Sequence, residues 1–264
     1  MTEAKKVLEK IKLFVLDMDG TFYLGDQEID GAVAFTEKVR ECGKEFLFFT
    51  NNSSKTGEMY MDKLAKMGRP ITKKDIMTSG DVTIAYLKTH YPDKTIFLAG
   101  VPELEAEFQN AGLHLVDDNA DIVVVAFDKT LTYDKLDKIC RQIRHGSMFL
   151  ATHLDINCPV EGMEFIPDCG SMCAAISLST GKQPKYLGKP FKETVDMICR
   201  EKGYQVDEIA FIGDRLYTDV ATGVDNGAVG ILVLSGETSM DDLKTSDIQP
   251  DLIFDSLKEM TEYL

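Results

Sequence analysis

Hydrophobic residues occur along this chain in short runs, each followed by a polar loop and then by an amphipathic stretch. Runs of this kind are typical of buried parallel strands that are joined by helices. The first run, Leu13 to Leu16, ends at the acidic sequence Asp17-Met18-Asp19-Gly20-Thr21. Similar runs predict further strands at residues 45–50, 95–100, 121–127, 148–152, 208–214 and 229–234. The alternation predicts an α/β fold built on a parallel sheet.

The pattern also predicts a second domain inserted into the first. From about residue 79 the chain forms a separate set of strands and helices, and the core pattern resumes near residue 186. Segment 153–170 contains two prolines and two glycines, which predicts a long irregular loop. We therefore predict a doubly wound α/β core of residues 1–78 and 185–264, and an inserted α/β domain of residues 79–184.

The charge of the chain limits its partners. The 264 residues carry a formal net charge of −15, which disfavours general binding to nucleic acid or to anionic membranes. A site for an anionic substrate must therefore be locally positive.

The cysteines and the N-terminal segment indicate a cytoplasmic protein. None of the six cysteines forms a CxxC pair, so we expect reduced thiols rather than a zinc site. The charged N-terminal segment lacks the apolar core of a signal peptide, and no apolar run reaches the length of a membrane span.

Four loops lie at the ends of predicted parallel strands of the core and carry residues that could bind a ligand. These residues are Asp17 and Asp19, Thr50 and Asn51, Gly188 and Lys189, and Asp214 and Asp219. If these strands are neighbours, the pairs converge at the carboxyl edge of the sheet, where α/β proteins bind ligands. Carboxylates suit Mg²⁺. Thr50 and the amides near Asn51 suit phosphoryl oxygens, and Lys189 supplies a positive charge.

Each pair also has an ordinary structural explanation. Asp and Gly favour turns, Thr-Asn-Asn is a common helix cap, and a lysine after glycine usually lies on the surface. The occurrence of all four pairs in this order favours a phosphoryl-transfer site over these separate explanations.

The motifs DMDGT, FFTNN, LGKP and IGDRLYTD resemble, in that order, the four motifs of the haloacid dehalogenase (HAD) superfamily. The insert between the second and third motifs resembles the C2-type cap of the NagD-like phosphatases, which include nitrophenyl, phosphoglycolate and pyridoxal phosphatases. The segments FFTNNSS, ATHLDINCP and ILVLSGET are similar to the same branch. The resemblance implies a Rossmann-like HAD core with a C2-type cap.

The resemblance also implies a role for each motif residue. Asp17 would be the nucleophile that forms an aspartyl-phosphate, and Asp19 would protonate the leaving oxygen and then deprotonate the attacking water. Mg²⁺ would be held by Asp17, the Asp19 backbone carbonyl and Asp214, with Asp219 in support of these ligands. The phosphoryl oxygens would be bound by Thr50, Asn51 and Lys189.

The segment 153–172 is the candidate for contact with the leaving group of the substrate. Its polar residues of interest are His153, Asp155, Asp168 and Ser171, each of which could instead be a loop or helix-cap residue. The family position that resembles His153 is often Asn. Cap loops in this family vary with substrate, so the resemblance implies only a small ester such as a sugar phosphate, a nucleoside monophosphate, phosphoglycolate or an aryl phosphate.

These observations predict a Mg²⁺-dependent phosphatase that acts on a small phosphorylated metabolite. The second acid of the DMD sequence favours phosphoryl chemistry over carbon–halogen cleavage, because a halide leaves without a proton. Two alternatives stay open: a phosphotransferase or phosphomutase that uses the same aspartyl-phosphate, and a non-catalytic protein that binds a phosphate ligand. Caps in this family often mediate dimers, but the sequence does not decide whether this chain forms a homodimer.

Overall fold

The computed structural model describes residues 3–160 and 164–264. They form two compact units. The first unit contains the chain up to Thr50, Met67–Met77 and Lys189–Leu264, and the second contains Asn51–Lys66 and Thr78–Gly188. The predicted boundaries assigned residues 51–66 to the core, whereas these residues pack within the second unit.

The strands of both units are short, and most of them are buried. In chain order they are β1 (Leu13–Leu16), β2 (Tyr23–Leu24), β3 (Gln27–Glu28), β4 (Glu45–Thr50), β5 (Ile76–Thr78), β6 (Thr95–Ala99), β7 (His114–Leu115), β8 (Ile122–Val125), β9 (Met148–Ala151), β10 (Asn157–Val160), β11 (Glu164–Pro167), β12 (Lys185–Tyr186), β13 (Ile209–Gly213), β14 (Val229–Val233) and β15 (Leu252–Phe254).

The α-helices lie between these strands. They are α1 (Glu3–Lys10), α2 (Ala32–Glu41), α3 (Gly57–Lys66), α4 (Ser79–His90), α5 (Pro102–Asn110), α6 (Tyr133–Arg144), α7 (Cys169–Thr180), α8 (Lys192–Lys202), α9 (Ala221–Val224), α10 (Met240–Leu243) and α11 (Leu257–Thr261). A π-helical turn, Leu216–Val220, immediately precedes α9.

The sheet of the first unit confirms the doubly wound prediction. Its order is β15-β14-β13-β1-β4-β5, and β1 pairs in parallel with both β13 and β4. From β1 the chain first adds β4 and β5 on one side and later adds β13, β14 and β15 on the other. The order therefore reverses between β1 and β13, and in open α/β sheets ligands bind at the carboxyl ends of such a strand pair.

The second unit has its own parallel sheet with the order β12-β9-β8-β6-β7. Each of its pairings is parallel. Its core packs apolar residues of β8 and β9 against α6 and α7, and includes Val123, Phe149, Ile139, Cys173 and Ile176. Because β8 is buried along its whole length, it has the continuous apolar sequence that is typical of parallel strands.

The segment that we predicted as an irregular loop contains regular structure. Residues 157–160 and 164–167 form an antiparallel hairpin of β10 and β11, while residues 161–163 lie outside the described residues. Pro159 is accommodated because a two-stranded hairpin has free edges where no backbone N–H is required. Helix α7 begins at Cys169 with Asp168 as its N-cap.

Among the described residues, none of the helices is both long enough and apolar enough to cross a membrane.

Candidate active site

Buried strands of the first unit end at the residues that the sequence singled out. Asp17 directly follows β1, Thr50 is the last residue of β4, and Asp214 directly follows β13. Leu16 at the end of β1 lies opposite Ile212 of β13, so the chain segments after these strands leave the sheet at the same edge. The apolar strands thus position polar side chains at the point where the strand order reverses.

Lys189 connects two of the acids of this unit. Its Nζ atom lies 2.6 Å from Asp17 Oδ1 and 2.6 Å from Asp219 Oδ1. It also donates to the carbonyl oxygen of Phe49 at 3.3 Å. The side chain of Lys189 is only 4% exposed, so an ammonium group buried among these acceptors uses all three of its N–H donors.

The pKa values of these groups reflect the crowding of buried acids. Burial raises the pKa of Asp17 to about 8, Asp219 and Asp214 add to the increase, and Lys189 opposes it. Burial and then the Asp219 carboxylate raise the pKa of Asp214 to about 6. Burial lowers the pKa of Lys189, but the carboxylates of Asp17 and Asp219 outweigh it and raise that pKa above its ordinary value. The cluster therefore holds more negative charge than its lysine neutralises.

Asp214 has one bound and one free carboxylate oxygen. Its Oδ2 accepts a hydrogen bond from the backbone N–H of Glu237 at 2.7 Å. Its Oδ1 is buried and has no hydrogen-bond partner among the described residues. Glycines make the close approach of this carboxylate possible, because a Cβ at Gly20 or Gly236 would overlap the Asp214 carboxylate. Gly20 also has a positive φ of 85°, which favours glycine.

The donor set of this cluster fits a divalent cation with oxygen ligands. Carboxylate oxygens of Asp17, Asp214 and Asp219 lie within 4.8 Å of one another. The free Oδ1 of Asp214 and the excess negative charge both favour a bound cation. Asp219 has both oxygens occupied, since Oδ1 binds Lys189 and Oδ2 accepts from the Arg215 N–H at 3.1 Å.

Asp19 lies in the turn that follows β1. Strand β1 ends at Leu16, and the Met18 carbonyl accepts hydrogen bonds from the backbone N–H groups of Phe22 and Tyr23. The side chain of Tyr23 donates to Asp19 Oδ2 at 3.5 Å. Asp19 is exposed, so its carboxyl group can exchange protons with solvent.

Comparison with known proteins identifies the family of the chain. Residues 14–114 match the family model of the haloacid dehalogenase-like hydrolases, and residues 186–260 match a second HAD-hydrolase-like model. The 5'-nucleotidase YutF of Bacillus subtilis is 32% identical over 257 residues, which cover 97% of this chain and 100% of that protein. The chain belongs to the haloacid dehalogenase-like hydrolases.

Solved structures with the same fold confirm the predicted branch of these hydrolases. A 4-nitrophenylphosphatase from Thermotoga maritima is 44% identical, with a TM-score of 0.93 over 97% of this chain and 98% of that one. A putative nagD protein is 42% identical, with a TM-score of 0.91 over 96% of this chain and 98% of that one. This hydrolase is therefore a NagD-like member of the HAD family.

The hydrolase also uses a loop whose role the sequence did not predict. The loop 235–238 follows β14. Ser235 donates from its side chain to the Gly20 carbonyl at 2.8 Å, and the N–H of Thr238 donates to the Asp214 carbonyl at 3.1 Å. Glu237 forms an ion pair with Arg215 at 2.8 Å. The sequence ILVLSGET was recognised only as a motif of the branch, because its contacts are made with residues distant in the chain.

Asn51 and the four predicted cap residues lie in the second unit. The side-chain amide of Asn51 donates to Asp155 Oδ1 at 3.3 Å. The exposed fractions are 0% for His153, 6% for Asp155 and 3% for Asp168. Ser171 donates from its hydroxyl to the Ile156 carbonyl at 2.6 Å. These four residues make contacts within the unit, and their role as substrate contacts stays a prediction.

Proposed function

We propose that this hydrolase is a Mg²⁺-dependent phosphatase of small phosphate monoesters that acts through an aspartyl-phosphate on Asp17. One observation carries the proposal: the Asp17 carboxylate lies at the carboxyl end of β1, 2.6 Å from the buried ammonium group of Lys189. A nucleophile beside a fixed positive charge suits attack on an anionic phosphoryl group. The names of the 5'-nucleotidase and 4-nitrophenylphosphatase relatives support the same reaction class.

The chain supplies the nucleophile and the proton donor. An oxygen of Asp17 would attack phosphorus, so that one P–O bond forms while the ester P–O bond breaks, and the leaving oxygen would take a proton from Asp19. Asp19 would then take a proton from the water that attacks the aspartyl-phosphate, which releases inorganic phosphate and restores Asp17. The exposure of Asp19 supports this role, because the group must exchange protons in every cycle.

The remaining residues would bind the metal and the phosphoryl group. Mg²⁺ would be held by Asp17, the backbone carbonyl of Asp19 and Asp214, with Asp219 in support through Lys189. When bound, it would supply positive charge that offsets the buried carboxylates and the charge of the transferring group. Lys189, Thr50 and Asn51 would bind the phosphoryl oxygens.

We also propose that the enzyme works in the cytoplasm on a phosphorylated metabolite. None of the six cysteines forms a disulfide within the described residues, which supports a reducing compartment.

Phosphate release from a panel of esters tests the proposal. The panel contains sugar phosphates, nucleoside monophosphates, phosphoglycolate and p-nitrophenyl phosphate, each assayed with Mg²⁺ and with EDTA. We expect Mg²⁺-dependent release of phosphate from several esters, and acid-stable labelling of a peptide that contains Asp17 after a rapid quench. A lack of turnover on every ester would contradict the proposal. Phosphate release that depends on an added sugar or alcohol acceptor would instead indicate a phosphotransferase.

A further inference from the structure

A fully buried histidine lies between two aspartates in the second unit. His153 has no exposed surface. Its Nδ1 lies 3.4 Å from Asp155 Oδ2, and its Nε2 lies 3.5 Å from Asp168 Oδ1. Neither nitrogen makes a hydrogen bond of ordinary geometry within the described residues. The two carboxylates thus face opposite nitrogens of one imidazole ring.

This arrangement favours the protonated ring. A neutral imidazole has one donor nitrogen and one acceptor nitrogen, so one buried carboxylate would face a lone pair. In the imidazolium form a positive charge lies within 3.5 Å of both carboxylates, and the charge of the two buried acids is partly neutralised. Burial lowers the pKa of His153, but Cys169, Asp155 and Asp168, the titratable groups that face the ring, together raise it to about 9.

The three side chains also offer one possible metal-ligand atom each, and these atoms lie within 4.8 Å of one another. A metal ion bound to the ring would need a nitrogen without a proton, so the protonation state of His153 separates a metal site from an imidazolium held by two carboxylates. Asp168 Oδ1 also accepts a hydrogen bond from the Cys169 N–H at 2.6 Å, so it already has a role as the N-cap of α7.

Asp155 links His153 to Asn51, one of the residues for which we proposed binding to phosphoryl oxygens. One oxygen of Asp155 faces His153, and the other accepts the Asn51 side-chain amide at 3.3 Å. Asn51 in turn packs on Gly188, where an added Cβ would lie 2.6 Å from Asn51 Oδ1. The N–H of Gly188 donates to the carbonyl of Thr152, the neighbour of His153, at 2.8 Å.

We propose that His153 is a positioning residue that, as an imidazolium between Asp155 and Asp168, orients Asp155 toward Asn51 and thereby fixes the Asn51 side chain. This inference rests on the proposed function for the role of Asn51 in binding phosphate. It assigns His153 a task that needs no contact with the substrate, in agreement with the absence of exposed surface on its side chain.

The charge of His153 is tested directly by NMR. The chain contains four histidines, and His90, His114 and His145 are exposed. An H90Q/H114Q/H145Q variant labelled with ¹⁵N-histidine therefore leaves the ring of His153 as the single histidine signal, without a change in the buried cluster. We expect both ring nitrogens to be protonated at neutral pH. A signal from a neutral ring at pH 7 would overturn the proposal, whether or not the protein hydrolyses any ester.

The positioning role is tested by binding of inorganic phosphate in the presence of Mg²⁺. We expect H153N to weaken phosphate binding by about tenfold, a size typical of residues that act through a contact network. KM for p-nitrophenyl phosphate should rise with little change in kcat, as when binding common to ground and transition states is lost. H145N, which changes an exposed histidine of the same unit, is the matched control and should behave as wild type.

A double-mutant cycle shows whether His153 acts through Asp155. If it does, H153N should have little further effect in a D155N background, because the two changes remove the same link. The side-chain amide signal of Asn51 should shift in H153N and not in H145N, and this readout needs no activity. Wild-type phosphate affinity and an unshifted Asn51 amide in folded H153N would overturn the proposal. Loss of phosphate binding in the wild type itself would instead count against the proposed function.

Discussion

Each unit of this hydrolase buries a cluster of carboxylates around one basic side chain, and the two clusters differ in how they are balanced. In the first unit Asp17 and Asp219 contact Lys189, while Asp214 lies close to both acids with a free Oδ1. In the second unit Asp155 and Asp168 contact opposite nitrogens of His153. Since the nearby Arg215 is paired with Glu237, the first cluster has three acids for its one lysine, whereas the second has two acids for one histidine.

This difference in charge balance suggests that the first cluster is suited to bind a further cation and that the second cluster is not. In the first cluster the raised pKa values of Asp17 and Asp214 show the cost of leaving the acids charged. Bound Mg²⁺ would remove that cost, so the same imbalance that destabilises the metal-free fold makes the site suitable for catalysis. In the second cluster the imidazolium has a carboxylate on either side, so the arrangement suits rigidity rather than exchange of a ligand.

Replacing the nucleophile should produce the largest effect and should change only the first cluster. D17N keeps the size of the side chain but cannot form an aspartyl-phosphate, so we expect turnover of p-nitrophenyl phosphate to fall by about 10⁴-fold or more. The control variant is D241N, which changes an exposed acid of the first unit and should turn over the ester as wild type does. Undiminished turnover in D17N would refute Asp17 as the nucleophile.

Removal of Mg²⁺ should make the stability of the fold depend on pH. The pKa of Asp17 is raised from 3.8 to about 8, so between these values the folded state binds a proton more tightly than the unfolded chain. The contribution of this group to the free energy of unfolding is therefore highest at low pH and decreases as the pH rises toward 8. Asp214, with its pKa raised to about 6, acts in the same direction.

Urea denaturation in EDTA and in Mg²⁺ measures this dependence. In EDTA, we expect the urea concentration at the unfolding midpoint of the wild type to decrease as the pH is raised from about 5 to about 8. The decrease should be larger than in D17N, which lacks the titrating carboxylate. Mg²⁺ should reduce the decrease, because a bound cation favours the charged carboxylates. Equal pH dependence of wild type and D17N in EDTA would show that burial of Asp17 costs the fold little.

The positions of the acids at the strand ends could be predicted because they depend on local patterns. The apolar run before Asp17 and the one before Asp214 are the central strands β1 and β13, and parallel strands bring the following residues to one edge. The doubly wound fold and the family could be predicted for the same reason, since the strand pattern and the order of the motifs are both visible along the chain. Both predictions were confirmed.

Some elements and contacts were not predicted, either because they depend on residues distant in the chain or because a local sequence pattern was overlooked. Helix α4 was not predicted, although Thr78 and Asp81 form a capping box at its start, a pattern that is visible in sequence. The hairpin of β10 and β11 was predicted as a loop because of its prolines and glycines. The placement of His153 between two aspartates could not be predicted, because the packing of β9 against α7 brings them together.

The second cluster should matter for stability even where it does not matter for metal binding. D168A leaves His153 with one carboxylate and α7 without its N-cap, so we expect a loss of about 3 kcal/mol in the free energy of unfolding, as for other broken buried pairs. S171A removes one hydrogen bond to the Ile156 carbonyl in the same turn, and should cost about 1 kcal/mol. Equal small losses for both variants in urea denaturation would show that the His153 cluster contributes no special stability.

Changes in the loop 235–238 should have the smallest effect on the first cluster. This loop contacts Asp214 through the backbone N–H of Glu237, and none of its residues is among the proposed metal ligands. E237Q weakens the ion pair with Arg215, while the backbone N–H that binds Asp214 Oδ2 remains. A half-exposed ion pair contributes at most about 1 kcal/mol, so we expect the Mg²⁺ dissociation constant, measured by calorimetry, to rise by about two- to fivefold. D241N breaks an exposed ion pair with Lys244 elsewhere in the unit and should leave Mg²⁺ affinity unchanged. If E237Q binds Mg²⁺ as tightly as D241N does, the backbone contacts of the loop are sufficient to orient Asp214, and the ion pair with Arg215 has no part in metal binding.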